Sequence, residues 1–232
     1  MRLHKAVLSA VAAVALGATA TSASAGGRGS LKDDRPFSWS GFYVGGLATW
    51  GSADAKHCDG DCLPGFPAFQ VDGTAGGVTV GYNYQMSKWV AGVELDWSWG
   101  KINGSSGSTS NFGCSNQCDT SLESIGTLRA RLGYTFGNLL AYATAGAAFT
   151  KYEASIANGA SGDSTTKTSF VFGGGLEYAF AAHWSAKFEY LYIDKLGDFN
   201  YDRQDLCGGP PGGCFSRIGH IDTVRFGLNY RF

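Results

Sequence analysis

The chain has 232 residues, with 18 Lys and Arg against 19 Asp and Glu and a formal net charge of -1, so no basic surface points to a nucleic-acid partner. Its 35 glycines are about twice ordinary usage. With 15 Phe, 11 Tyr and 6 Trp they indicate β-structure with tight bends. No apolar run of about 18 residues follows Ala25, which argues against a transmembrane helix there. Near-neutral mean hydropathy leaves a membrane barrel open, because alternating faces average out.

The N-terminus carries Arg2 and Lys5, an apolar run from Ala6 to Ala20, and the small-x-small triplet Ala23-Ser24-Ala25. This pattern predicts a signal peptide over residues 1–25. Residues 26–38 are polar and Gly-rich, with Pro36, and are expected to be a flexible lead-in to a domain over 39–232.

Strand-like segments then recur in chain order. Gly41 to Trp50 is followed by a long link to Asp72. Gly73 to Tyr84 turns through Gln85–Lys88 into Trp89 to Trp99, and a second long link runs from Gly100 to about Glu123. Ser124 to Phe136 turns at Gly137-Asn138 into the Ala-rich Leu139 to Lys151, whose faces the pattern does not assign. A third long link, Tyr152 to Thr166, precedes Lys167 to Phe180. Ala181-Ala182-His183 leads into Trp184 to Tyr192, and the last long link, Ile193 to about Ile221, precedes the terminal strand. Eight strands of about ten residues or slightly more match the roughly 9–11 that a tilted membrane strand needs. Short turns alternating with long loops match bacterial outer-membrane barrels. The expected fold is all-β: an eight-stranded antiparallel up-and-down transmembrane barrel with long external loops.

The terminal strand shows the polarity most clearly. Val224, Phe226, Leu228, Tyr230 and Phe232 share one face, while Thr223, Arg225, Gly227, Asn229 and Arg231 share the other. A soluble sandwich turns the apolar face inward; a barrel in a bilayer turns it toward lipid. Charges decide in favour of the barrel. Glu94, Asp96, Arg129, Arg131, Glu177, Lys187, Glu189 and Arg225 all lie on the polar face of their strands. The interior of an eight-stranded barrel is just wide enough for side chains to fill, and unpaired buried charges are costly, so these eight are expected to pair in the lumen.

Six cysteines fall in the long links: Cys58 and Cys62, Cys114 and Cys118, Cys207 and Cys214. Export implies an oxidising compartment, and three local bridges within these pairs are the economical pairing of the fifteen available. The competing reading is zinc at Cys58 and Cys62 with His57, but structural zinc sites use tighter C-x2-C pairs with two further ligands. No P-loop, H-E-x-x-H, G-x-S-x-G or Rossmann pattern occurs. His183 reads as solvated surface in a short turn. His220 and Asp222, at the mouth of the last strand, lack a recognisable nucleophile, so a catalytic reading is disfavoured. No cofactor or metal is expected.

Seven motifs in order carry a family likeness: W-S-G-F-Y-V-G-G from Trp39, G-G-V-T-V-G-Y-N-Y-Q from Gly76, V-A-G-V-E-L-D-W-S-W from Val90, L-R-A-R-L-G-Y from Leu128, G-G-G-L-E-Y-A-F from Gly173, W-S-A-K-F-E-Y-L-Y from Trp184 and V-R-F-G-L-N-Y-R-F from Val224. From Trp39 onward the chain resembles the alphaproteobacterial outer-membrane β-barrel family, which includes the outer-membrane immunogenic proteins and porin-like or opacity-like surface antigens. The resemblance implies an eight-stranded barrel in the outer membrane of a Gram-negative bacterium, with a structural, envelope-integrity and surface-contact role and no catalytic residues. It implies lipid as the surrounding partner and a C-terminal signal (Phe226, Leu228, Tyr230, Phe232) read by the barrel-assembly machinery. It further implies host or environmental ligands for the external loops. Some members bind haem or form weak pores, so a small-solute pore is the alternative, and a barrel enzyme a more distant one. The cysteine-bearing loops depart from many members.

Overall fold

The computed structural model describes residues 37–59, 68–105, 118–156, 165–200 and 214–232. The expected signal peptide, the lead-in before Phe37, and Cys62, Cys114 and Cys207 lie outside the described residues, as do the side chains of Cys58, Cys118 and Cys214. The local bridges expected within the three cysteine pairs therefore lie outside them too.

The strands are β1 (Gly41–Asp59), β2 (Phe69–Met86), β3 (Trp89–Ser105), β4 (Cys118–Phe136), β5 (Leu139–Ile156), β6 (Thr165–Ala179), β7 (Trp184–Ile193), β8 (Gly197–Asn200) and β9 (Cys214–Arg231). All neighbours are antiparallel, and β1 pairs with β9 from Tyr43↔Arg231 to Asp59↔Cys214, which closes the sheet. Closure removes free edges over the length that β7 spans. The short β8 pairs with β9 above the end of β7, so nine segments make eight staves.

The alternating sequence sets the faces. On β3, Val90, Glu94, Asp96 and Ser98 are buried inside, while Trp89, Val93, Leu95, Trp97 and Trp99 are exposed outside. The Ala-rich β5 resolves the same way, with Leu140, Tyr142, Thr144, Ala148, Thr150 and Tyr152 inside. Inward glycines make room where an aromatic ring crosses the lumen. A Cβ at Gly81 would collide with the Tyr43 ring, and one at Gly175 would meet the Tyr142 hydroxyl at 2.8 Å.

Two expectations need correction. Most strands run 17 to 19 residues rather than about ten, so pairing continues into what read as long links, and Cys58, Cys118 and Cys214 sit at strand ends. The extra length lies at the end away from the tight turns Ser87–Lys88 and Gly137–Asn138. There the polarity reverses, which is the second correction. Ile102, Leu122, Ile125, Tyr152, Val171, Leu191, Ile193, Leu196, Ile218 and Ile221 form an apolar core inside the barrel. Asp54, Asp72, Lys101 and Thr168 face out. The alternation continues, but its assignment exchanges because this part of the wall faces water rather than lipid. Register shifts at Ala53/Ala55, Trp99/Ile102 and Leu122/Ser124 fall at this level, and such bulges add local twist.

Below the reversal the outer wall is apolar from Trp89 to Trp99 on β3 and from Phe42 to Trp50 on β1, within the roughly 9–11 residues that cross a bilayer. Aromatic contacts mark its lower rim: Phe42 with Tyr82, Trp89 with Tyr134, and Trp184 with Tyr230. Such belts sit at membrane interfaces.

Candidate functional site

A charge layer fills the barrel below the apolar core. The alternation of β3, β4, β6, β7 and β9 sends Glu94, Asp96, Arg129, Arg131, Glu177, Lys187, Glu189 and Arg225 inward, and none is more than 4% exposed. Arg129 is the hub. Its Nη2 donates to Glu94 Oε1 at 2.5 Å and Asp96 Oδ2 at 2.8 Å, its Nη1 to Glu189 Oε1 at 2.8 Å, and its Nε to Thr127 Oγ1 at 2.8 Å. Arg225 Nη1 donates to the other Asp96 oxygen at 2.7 Å. Lys187 Nζ donates to Glu94 Oε2 at 2.7 Å. Arg131 Nη2 reaches Glu177 Oε2 at 2.8 Å, and its guanidinium lies 3.9 Å from the centre of the Tyr142 ring, a cation–π contact.

Neutral groups complete the layer. The Tyr43 hydroxyl donates to Glu94 Oε2 at 2.7 Å and accepts from Arg131 Nη1 at 2.9 Å. The Tyr142 hydroxyl donates to Glu189 Oε1 at 3.0 Å. Ser185 Oγ and Asn229 Nδ2 both donate to Glu177 Oε1, at 2.6 and 3.0 Å. These partners lie on other staves than the charges they serve, so no local spacing announces them. Arg231, on the same inward face, adds a fifth cation. It donates to the Trp39 carbonyl at 2.5 Å, lies 3.7 Å from Glu177, and faces the rings of Phe37, Trp39 and Tyr43. Its place on the polar face of the last strand was the signal available for it.

The lower mouth is closed from the N-terminal side. Trp39 is fully buried and packs in a cluster with Val90, Leu140, Tyr142 and Ala179, with Phe37 against it. Gln85 Oε1 accepts from the Trp39 amide at 2.8 Å. The interior is thus layered: an aromatic-aliphatic seal, a charge layer, and the upper apolar core. Such a stack locks the staves together, and among the described residues no group of three or more His, Cys, Asp or Glu could hold a metal.

His183 is not merely solvated: its Nδ1 lies 2.8 Å from the Arg231 carbonyl and its ring stacks on Tyr230. His220 Nε2 lies 3.3 Å from Asp222 Oδ2, Tyr190 donates to the other Asp222 oxygen, and Tyr192 stacks on His220. This cluster is on the outer wall at the polarity reversal, apart from the lumenal charges. Above that level Lys151 Nζ pairs with Glu123 Oε2 at 2.8 Å, a hydrogen bond that raises the lysine's pKa. Of the terminal-strand residues, Phe226, Leu228 and Phe232 are exposed on the outer wall, with Tyr230 between Trp184 and Phe232.

Comparison with known proteins agrees with this architecture. Residues 8–232 match the family model described as outer membrane protein beta-barrel domain. The chain is 35% identical over 211 residues to the 31 kDa outer-membrane immunogenic protein of Brucella melitensis, covering 84% of this chain and 85% of that protein. It is 29% identical over 201 residues to the 22 kDa outer membrane protein of Rhizobium leguminosarum, covering 84% and 79%. The crystal structure of the outer membrane protein OprG from Pseudomonas aeruginosa aligns with a TM-score of 0.49 at 18% identity, covering 85% of this chain and 99% of that one. These relatives are named as outer-membrane and immunogenic proteins rather than as enzymes. The chain belongs to the outer-membrane β-barrel family of Gram-negative bacteria, among the alphaproteobacterial outer-membrane immunogenic proteins, and resides in the outer membrane.

Proposed function

We propose that this protein is a non-conducting barrel that anchors in the outer membrane, supports the envelope and presents an external surface for contact. The observation that carries this reading is the layered interior. A pore needs a continuous water path, and here the ion-paired layer lies between two apolar seals. The strands continue beyond the apolar outer band, and loops on a rigid scaffold are where contact residues concentrate. Host or environmental ligands are the partners proposed there. The C-terminal residues Phe226, Leu228, Tyr230 and Phe232 are proposed to engage the barrel-assembly machinery during insertion. Single-channel recording in planar bilayers tests the central claim. We expect no steady conductance from the purified barrel; a stable open level would favour the small-solute pore instead.

A further inference from the structure

Glycines in these strands mostly fill a packing need, since a Cβ at Gly45, Gly77, Gly81, Gly126 or Gly146 would collide with a neighbour. Gly46 and Gly76 differ. They are the described strand glycines at which an added Cβ meets nothing within 4 Å. Both face outward, and with exposed Ala48 between them they leave a bare strip on the lipid-contact wall; Gly46 lies between Leu228 and Val78 in register, and Ala48 pairs with Gly76. Larger side chains stand around the strip. Gly46 floors a groove of about 670 Å³ walled by Val44, Val78, Trp97, Trp184, Leu228 and Tyr230; Ala48 and Gly76, level with Trp99, lie above it.

We propose that this groove holds one acyl chain of a periplasmic-leaflet glycerophospholipid in a fixed position. The groove is continuous with the wall that already contacts lipid, so a hydrocarbon chain is the material at hand. Its depth selects the leaflet. Trp184 and Tyr230 belong to the lower aromatic belt, the end with the short turns, which is periplasmic in such barrels. The lining rises only to Trp97 and does not include the upper Trp50 and Trp99. A chain lying between the rings gains dispersion contacts on both sides that a flat wall offers on one. A second copy fits poorly: in a two-fold interface the same patch meets itself, and two facing hollows leave a void where close packing is the driving force.

The test uses the full barrel in vesicles containing a phosphatidylethanolamine with a diazirine midway along one acyl chain. After irradiation, labelled peptides are mapped. We expect Val78, Trp97 and Leu228 to be labelled at least about fivefold above the exposed Leu128 and Leu132 of β4. Gly46→Leu, which fills the groove floor, should reduce that excess to the β4 level while the barrel keeps its heat-dependent gel mobility. If Gly46→Leu fails to insert, Gly46→Val and the wild-type map still decide. Even labelling around the wild-type barrel, an excess unchanged by filling the groove, or barrel-to-barrel cross-links through Leu228 would each overturn the proposal.

Discussion

Arg129 is the most informative position to perturb. In Arg129→Met the side chain keeps much of its length but loses its charge and four hydrogen bonds. Glu94 retains Lys187, and Asp96 retains Arg225. Glu189 fares worst, because its remaining described partner is the Tyr142 hydroxyl, which leaves a carboxylate stranded in an enclosed interior. Breaking a buried pair by removing one partner costs about 3–5 kcal/mol, roughly two to nearly four powers of ten in the folding equilibrium. Urea unfolding of the vesicle-inserted barrel, followed by tryptophan fluorescence and gel mobility, measures it. Adding Glu189→Gln removes the stranded charge, and the double variant should regain about 2 kcal/mol, a coupling expected between direct partners. A loss below about 1 kcal/mol in Arg129→Met, or a double variant no more stable than the single, would refute the closed charge layer, since a water-filled lumen would screen both changes.

Two further outcomes test the polarity reversal. Leu95→Arg, on the apolar outer band, should destabilise the inserted barrel by about 2–4 kcal/mol, whereas Thr168→Arg, exposed above the band, should leave its unfolding midpoint unchanged. Equal costs would mean that the membrane boundary is misplaced. Ile193→Ala, which hollows the upper core, should cost about 2–5 kcal/mol in the same titration, and an unaltered midpoint would show that this end is not packed.

What the sequence settles by itself is the sidedness of each strand. Successive residues must point to opposite faces, so Leu128, Ala130 and Leu132 are separated from Arg129 and Arg131 before any fold is known. The tight turn at Gly137–Asn138 similarly follows from residue type and the ends of alternating runs, whereas the turn expected over Gln85–Lys88 narrows to Ser87–Lys88 because Gln85 and Met86 still pair with Val90 and Trp89. The joining of charges is different. Arg129 meets Glu189 and Arg225 meets Asp96 across 60 and 129 residues of chain, and only closure of β1 onto β9 fixes which inward groups face one another. Arg231 and Tyr43 enter the layer for the same reason. The upper half was hidden by a further ambiguity. A period of two names two faces without saying which is inside, and Ile102, Leu122 and Ile193 go inward because the wall there faces water instead of acyl chains. Only the closed barrel, long enough to leave the bilayer, decides that exchange.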